Sequence, residues 1–156
     1  MSGKKETEPA SLVADEPGVY LDSSALAKLY ISEPESDLLD SFLRGRRDII
    51  VSDLAITEVI SAVSRRKREG LLTPANAGQI KDALLADAKV FHRLELTPIL
   101  HRQAERLLLS TEKTPLRTLD ALHIALALSG GAARIVTYDV RMAAAATQHG
   151  LGIVDL

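Results

Sequence analysis

The sequence predicts an α/β protein in which a mainly parallel central sheet lies between two layers of helices, as a single-domain three-layer sandwich. Short apolar runs rich in β-branched residues alternate with longer runs whose apolar residues recur at helical spacing. The chain of 156 residues has the length of one domain and contains no internal repeat or linker that would divide it. Strands that alternate with helices are typical of a parallel sheet covered on both faces.

The composition fits an ordinary globular core and excludes several kinds of site. Hydrophobic residues make up 46% of the chain but aromatic residues only 3%, so we expect a core of aliphatic side chains. The absence of cysteine excludes disulfides, thiolate zinc sites, iron–sulfur clusters and thiol nucleophiles, and it favours a reducing compartment. Because the net charge is −2, any binding of nucleic acid must depend on a local basic patch.

The first 17 residues differ from the rest of the chain. They carry six charged side chains and two prolines without apolar periodicity, so we expect residues 1–17 to form a flexible tail and residues 18–156 to form the folded domain. The chain shows neither a secretory signal nor the ~18 consecutive apolar residues of a membrane span. We therefore expect a cytoplasmic protein without a membrane partner.

The first half of the chain contains two strand and helix units. The apolar run GVYL predicts a strand, SSALAKLY has helical spacing, and Pro34 ends that helix. A second helix ends at Gly45, and the run IIV suits a strand buried on both faces. We predict these elements in order: a strand at 18–22, a helix at 23–30, a helix at 35–43 and a strand at 49–51.

Three helices follow in the middle of the chain. The first begins at Ser52 or Asp53, each a good N-cap, and carries an apolar stripe at i, i+3, i+4 and i+7. The next two each begin with a proline, which suits the first helical turn. The predicted elements are a helix from 53 to 69, a helix at 74–89, a short strand at 91–96 and a helix at 98–112.

The last part of the chain predicts a buried helix followed by two strands. The run TLDALHIALALS is apolar almost all round, which indicates burial, and Gly130 and Gly131 end it. The predicted elements are a helix at 118–129, a strand at 135–138, a helix at 140–149 and an edge strand at 152–154.

Two carboxylates follow predicted strands. Asp22 comes after the first strand and Asp139 after the strand at 135–138, so both should project from the carboxyl edge of the sheet. The simpler interpretation is that each Asp caps the next helix, and for either residue alone that interpretation is favoured.

Asp120 lies early in the most apolar helix, where its neighbours leave little surface for solvent. A buried carboxylate without a partner costs several kcal/mol or takes up a proton, so something must compensate it. A metal ion, Arg117 or the helix N-terminus could each do so. For Asp120 alone, the interpretation as a metal ligand and the interpretation as a capping or ion-paired carboxylate are equally favoured.

Glu58 lies more than one turn inside its helix, on the side away from the apolar stripe, and alone it would be a surface residue. Arg65 lies seven residues on, about 10 Å along the same face. It begins the basic run of residues 65–68, which by itself indicates a solvated helix end. If Glu58 is catalytic, Arg65 becomes a phosphate contact at the rim of the site.

Three further residues near the acids have weaker signals. His123, one turn from Asp120, could act as a base or bind a phosphate, but a buried structural histidine is the favoured interpretation. Thr137 would point the same way as Asp139 if the strand continued, so its hydroxyl could support a carboxylate or a water. Asp53 is interpreted as an N-cap without a further role.

Four blocks of the sequence together resemble the PIN domain family of ribonucleases, and above all the VapC-type toxins of prokaryotic toxin–antitoxin pairs. The blocks are VYLDSSALAKLYISEPES, TEVISAVSRRKREG, LRTLDALHIALAL and IVTYDVRMAAAA. The resemblance spans residues 18–156 and implies a Rossmann-like sheet that holds one or two Mg²⁺ or Mn²⁺ ions. The family's four acids, from first to fourth, correspond to Asp22, Glu58, Asp120 and Asp139.

The resemblance further implies a metal-dependent endoribonuclease toxin that acts on RNA, forms a homodimer and is inhibited by a cognate antitoxin lying across the acidic groove. With no tryptophan to stack on bases, we expect recognition through RNA shape and backbone. The alternative is a catalytically silent PIN-like module that binds RNA or a partner. A phosphotransfer or receiver domain is disfavoured, because no second Asp follows Asp22 two residues on.

Overall fold

The computed structural model describes residues 17–156. Its elements, in chain order, are β1 Gly18–Leu21, α1 Ser23–Lys28, α2 Ser36–Leu43, β2 Ile49–Ser52, α3 Asp53–Arg68, α4 Pro74–Asp87, β3 His92–Leu94, α5 Pro98–Ser110, α6 Thr118–Ser129, β4 Ala132–Val136, α7 Val140–Gln148 and β5 Gly152–Ile153. The tail predicted over residues 1–17 lies outside this range except for Pro17, so it stays a prediction. None of the helices within residues 17–156 is both long and apolar enough to cross a bilayer.

The five strands form one sheet in the order β3-β2-β1-β4-β5, and every neighbouring pair is parallel. This confirms the predicted α/β fold. From β1 the chain builds outward to β2 and β3 on one side, and β4 and β5 lie on the other side of β1. The strand order therefore switches between β1 and β4, and the crevice outside their carboxyl ends is where sheets of this kind bind ligands.

Two apolar layers cover the two faces of the sheet, because successive side chains of a strand point to opposite faces. Val19 and Leu21 of β1 pack with helices α1 to α4, whereas Tyr20 between them packs with α5 to α7. All three side chains are fully buried. The central strand thus contributes to both cores, as the run GVYL predicts.

The strand β4 begins at Ala132, three residues before the predicted start, and ends at Val136. Ala132 pairs with Gly18 of β1, so this small residue joins the sheet through its backbone although its side chain carries little strand preference. Thr137 and Tyr138 consequently lie beyond the strand rather than within it. The edge strand β3 is also shorter than predicted, with two of its three residues exposed.

The helix α6 has the predicted bounds, but its burial is less uniform than the sequence indicates. Residues 120–127 are buried, whereas Leu119 and Leu128 are 46% and 41% exposed. The helix ends where predicted, since Gly130 caps it and Gly131 adopts a φ of 72° that favours glycine.

The N-cap of α3 is Ser52, whose hydroxyl accepts a hydrogen bond from the Ala55 N–H at 3.1 Å. The interpretation of Asp53 as the N-cap is therefore wrong. Asp53 lies in the first turn and forms an ion pair with Arg93 of β3 instead. A carboxylate in the first turn still favours the helix dipole.

Candidate active site

All four acids singled out in the sequence line one pocket at the carboxyl ends of β1 and β4. The pocket also contains side chains from α1, α3, α6 and α7. Its acids are Asp22, Glu58, Asp120 and Asp139, and its other polar residues are Ser23, Ser24, Arg117, Thr118 and His123.

Asp22 is 2% exposed, and both of its carboxylate oxygens accept hydrogen bonds from the protein. Its Oδ1 accepts from the N–H of Ala25 at 2.9 Å and from the hydroxyl of Ser24 at 2.7 Å. Its Oδ2 accepts from the hydroxyl of Thr137 at 2.5 Å. Asp22 therefore caps α1, as the simpler interpretation has it, and also lines the pocket.

Asp139 likewise caps a helix and lines the pocket. Its Oδ1 caps α7 by accepting from the N–H groups of Arg141 at 2.8 Å and Met142 at 3.2 Å. Its own N–H donates to the Thr137 hydroxyl at 3.1 Å. Thr137 thus supports one carboxylate through its hydroxyl and fixes the backbone of the residue that carries another.

Ser24 contributes a link that the sequence analysis did not single out. Its hydroxyl donates to Asp22 and accepts from the N–H of Tyr138 at 2.9 Å, so it ties α1 to the segment after β4. The signal for such a role was the position of Ser24 two residues after a capping Asp. Since serine is also common in first helical turns, that signal alone predicts no long-range contact.

Asp120 lies in the first turn of α6 and is 9% exposed. Burial and then the charge of Asp139 raise the pKa of this carboxyl above its ordinary value. A hydrogen bond from the backbone of Arg117, the charge of Arg117 and, when its ring is protonated, the charge of His123 act in the opposite direction without cancelling that rise. The compensation expected for a buried carboxylate is therefore only partial within the described residues.

Glu58 is 25% exposed and does not behave as a surface residue. Its Oε2 lies 2.5 Å from Nε2 of His123 in α6. The helices α3 and α6 belong to different layers, so this contact crosses the carboxyl edge of the sheet. Helical periodicity located the apolar stripe of α3 correctly, but it could not reveal which element covers the opposite face.

His123 is 2% exposed, and both of its ring nitrogens have partners. Nε2 faces Glu58, and Nδ1 lies 2.7 Å from the hydroxyl of Tyr20. While these contacts hold, the ring has no nitrogen available to take a proton from a substrate or to bind a phosphate. The burial agrees with the structural interpretation, and the contact with Glu58 adds to it.

Arg65 lines a second groove that shares Ser23, Ser24 and Glu58 with the acidic pocket. Within residues 17–156 the Arg65 guanidinium makes no hydrogen bond or ion pair, whereas Arg66 beside it is bound by Glu33 at 2.8 Å. Among the residues of the basic run that line this groove, Arg65 is therefore the one whose charge is available at the rim.

The acids of the pocket suit a hard divalent cation, since their carboxylates offer only oxygen donors. As their side chains stand, however, no three His, Asp or Glu residues within residues 17–156 are arranged to hold one ion. The oxygens of Asp22 accept hydrogen bonds from the protein, and Oε2 of Glu58 faces His123. The residues fit a metal by their chemistry, and binding of one ion by three of them requires a change in the position of at least one carboxylate.

The fold resembles several solved structures. One is VapC20 of Mycobacterium tuberculosis, a Sarcin-Ricin loop cleaving toxin, with a TM-score of 0.66 and 18% identity over 82% of this chain and 95% of that chain. Another is VapBC2 from Rickettsia felis bound to a promoter DNA fragment, with a TM-score of 0.63, 14% identity, and coverage of 87% and 96%. Identities this low show a shared fold.

The sequence comparisons are closer. Ribonuclease VapC46 of Mycobacterium tuberculosis is 38% identical over 138 residues, which cover 87% of this chain and 95% of that protein. Ribonuclease VapC35 of the same species is 33% identical over 142 residues, with coverage of 87% and 95%. The sequence profile of the PIN domain matches residues 19–148. The chain therefore belongs to the PIN domain family, as a member of VapC type.

Proposed function

We propose that this protein is an endoribonuclease that hydrolyses RNA phosphodiester bonds and acts as the toxin of a toxin–antitoxin pair. The observation that carries the proposal is the set of four acids in one pocket, at the positions where the family resemblance puts its acids. Similarity to two VapC ribonucleases over almost their whole length supports it.

In this proposal Asp22, Glu58, Asp120 and Asp139 are the catalytic residues and bind one or two Mg²⁺ or Mn²⁺ ions. Such an ion would acidify a water and offset negative charge on the scissile phosphate. The raised pKa of Asp120 supports cation binding, because a carboxylate destabilised by burial and by the charge of Asp139 gains most from a nearby cation.

The other residues of the site position these acids and the RNA. The hydrogen bonds from Ala25, Ser24 and Thr137 hold the Asp22 carboxylate in one orientation. Arg65 offers a cation for a phosphate next to the scissile bond, at the rim beside Glu58. Contacts of this kind read the RNA backbone and shape rather than its bases.

The proposal includes a cognate antitoxin that covers the acidic pocket, a homodimeric toxin and action in the cytoplasm. The similarity of the fold to VapBC2 from Rickettsia felis, solved with a promoter DNA fragment, supports an antitoxin partner. The competing function is a catalytically silent module, which would bind RNA or a partner and leave the RNA intact.

Cleavage of RNA in Mg²⁺ or Mn²⁺ tests the proposal. Asp22→Asn and Asp120→Asn should each lower the rate at least about 100-fold, as expected for groups that act on the transition state. Asp82→Asn is the matched control, because this exposed residue of α4 lies outside the pocket. Wild-type rates in both pocket variants would show that the cleavage does not depend on this site.

Calorimetric titration with Mn²⁺ tests metal binding separately from RNA cleavage. Wild type should bind the ion at millimolar or lower concentration, and Asp120→Asn should bind it more weakly. Absence of binding in wild type contradicts the metal part of the proposal. Binding of RNA without cleavage by wild type, in the presence of either ion, favours the silent module.

A further inference from the structure

A continuous line of polar side chains runs from the acidic pocket into the core. Glu58 Oε2 lies 2.5 Å from His123 Nε2, and His123 Nδ1 lies 2.7 Å from Tyr20 Oη. Tyr20 Oη lies 2.8 Å from Ser52 Oγ, which accepts the N–H of Ala55 at 3.1 Å. Tyr20 and Ser52 are fully buried and His123 is 2% exposed, so the protein alone must satisfy these groups.

For a neutral His123 ring, the number of hydrogens available fixes the direction of each hydrogen bond in this line. A neutral imidazole has one N–H, and an ionised Glu58 accepts only from Nε2, so Nε2 carries the hydrogen and Nδ1 accepts. Tyr20 must then donate to Nδ1, and Ser52 must donate to Tyr20. The reverse direction would leave the Nε2 lone pair against the carboxylate of Glu58, a repulsive contact in a buried setting.

The Tyr20 side chain is suited to donate a hydrogen bond to Nδ1 of His123. Its hydroxyl lies within hydrogen-bonding distance of both His123 and Ser52. A tyrosine hydroxyl keeps its hydrogen throughout the physiological pH range and can both donate and accept. The Tyr20 ring also packs edge to face with the His123 imidazole, at 5.8 Å between centroids, which fixes the plane of that ring.

Glu58 needs such support because it has none from its own helix. Within residues 17–156, its carboxylate is bonded only to His123. A glutamate that is 25% exposed and unsupported would sample several rotamers, and its carboxylate would leave the pocket for much of the time. One charge-assisted hydrogen bond from a buried ring removes most of that freedom.

We propose that His123 is a positioning residue whose Nε2–H tautomer, set by Tyr20 and Ser52, holds the Glu58 carboxylate at the acidic pocket. The effect on RNA cleavage rests on the proposed function, in which Glu58 is catalytic. The tautomer of His123 does not depend on whether the proposed function is correct.

Long-range ¹H–¹⁵N NMR of the histidine rings tests the tautomer directly, at pH 8 and without RNA. Wild type should show His123 as the Nε2–H tautomer, and Tyr20→Phe should shift it to a mixture. Tyr30→Phe is the matched control, because its hydroxyl donates to Asp87 at 2.9 Å far from this line. An Nδ1–H or doubly protonated ring in wild type, or an unchanged ring in Tyr20→Phe, would overturn the proposal whether or not the protein cleaves RNA.

Cleavage kinetics test the consequence. Tyr20→Phe should lower kcat about 10-fold with little change in KM, the scale seen when the partner of a site ligand is removed, and Tyr30→Phe should leave both unchanged. In a Glu58→Gln background, Tyr20→Phe should cause no further loss of kcat, since the effect of the Tyr20 hydroxyl on cleavage depends on Glu58. An equal loss of kcat in that background would show that Tyr20 does not act through Glu58, and it would overturn the positioning role.

Two variants of His123 provide an independent test if the loss of the Tyr20 hydroxyl prevents folding. His123→Gln retains an N–H donor near Glu58, whereas His123→Leu does not. The Gln variant should therefore keep more of the wild-type kcat than the Leu variant. A Leu variant as active as the Gln variant would overturn the proposal.

Discussion

Thr137 donates its hydroxyl hydrogen to Oδ2 of Asp22 at 2.5 Å, across 115 positions of sequence. The same oxygen accepts the N–H of Asp139 at 3.1 Å. Because β1 and β4 are neighbours in the sheet, one side chain after β4 fixes the relative positions of acids that follow both strands. The geometry of the pocket therefore depends on a residue that is not itself an acid.

The first prediction concerns this hydroxyl. Thr137→Val keeps the side-chain shape but leaves Asp22 with one donor fewer and the Asp139 N–H without its acceptor. We expect the free energy of unfolding to fall by about 1–3 kcal/mol and cleavage of RNA by about 10-fold. Urea denaturation and cleavage rates measure the two effects.

Two variants control this prediction. Thr137→Ser retains the hydroxyl and should stay close to wild type. Thr147→Val removes an exposed hydroxyl that donates to the backbone of Ala143 within α7, so it should not affect cleavage. Full activity in Thr137→Val would contradict a positioning role for the hydroxyl.

The second prediction concerns the buried charge of Asp120. Because its pKa is raised in the folded state, the folded protein binds this proton more tightly than the unfolded chain does. Stability of the metal-free protein should therefore fall as pH rises from the ordinary Asp value of 3.8 through the raised one. Asp120→Asn removes that loss, so the variant should melt at a higher temperature than wild type at pH 7.

The pH dependence distinguishes this cause from a general effect of the substitution. The advantage of Asp120→Asn over wild type should disappear as pH falls below 3.8, where the carboxyl is protonated in both states. Thermal unfolding in the presence of a chelator, from pH 3 to pH 8, measures it. A variant less stable than wild type at pH 7 would mean that the Asp120 carboxylate is fully compensated without a metal.

The fold and two of the site's acids could be predicted because their signals are local. The run GVYL followed by an acid, and a later strand followed by Asp139, are each visible within about six residues. A parallel sheet then brings such strand ends together wherever they lie in the sequence. The lengths of β3 and β4 were less predictable. β4 begins at Ala132, whose side chain has little strand preference although its backbone pairs with Gly18, and β3 is a three-residue edge strand with two exposed residues.

The surroundings of Glu58 could not be predicted, because they depend on which layers meet at the sheet edge. Periodicity assigned its side chain to the polar face of α3, and a polar face usually meets water. Here it meets His123 from the opposite layer, and Tyr20 and Ser52 complete the contact from β1 and β2. In the sequence, Tyr20 belongs to a predicted strand, Ser52 is a predicted helix cap and His123 is a predicted buried histidine, and nothing in these local patterns connects the three.

The third prediction concerns Lys28, a buried cation beside the second groove. Its Nζ lies 2.7 Å from Glu33 and 2.6 Å from Glu35, and 4.4 Å from the ring centre of Tyr138. Lys28→Met leaves both glutamates without this cation, so the free energy of unfolding at pH 8 should fall by about 1–3 kcal/mol. Lys81→Met, at an exposed pair in α4, should change it by less than about 0.5 kcal/mol.

The pH dependence of this stabilisation follows from the two pKa values. Burial lowers the pKa of Lys28, but its hydrogen bonds to Glu33 and Glu35 raise it by more, so the net direction is upward. The stabilisation is therefore fully present below the ordinary lysine value of 10.5 and is lost as pH rises through the higher folded value. The difference between wild type and Lys28→Met in urea denaturation should shrink above pH 11. A constant difference would show that packing, not charge, stabilises this site.

The fourth prediction separates two arginines of the basic run on α3. Arg65 lines the groove beside Glu58 without a protein partner in residues 17–156, whereas the guanidinium of Arg68 donates to Ser64 at 3.0 Å and lies outside the groove. Arg65→Ala should weaken RNA binding and reduce the dependence of log K on log salt by about 1, as loss of one phosphate contact does.

Arg68→Ala removes the same charge from the same helix and should leave that slope unchanged. In the proposed function Arg65 contacts a phosphate and not the reacting groups, so its loss should raise KM far more than it lowers kcat. Fluorescence anisotropy at several salt concentrations, with the inactive Asp22→Asn protein as the common background, measures the slopes without cleavage. Equal slopes for the two alanine variants would place the RNA backbone away from the Glu58 side of the pocket.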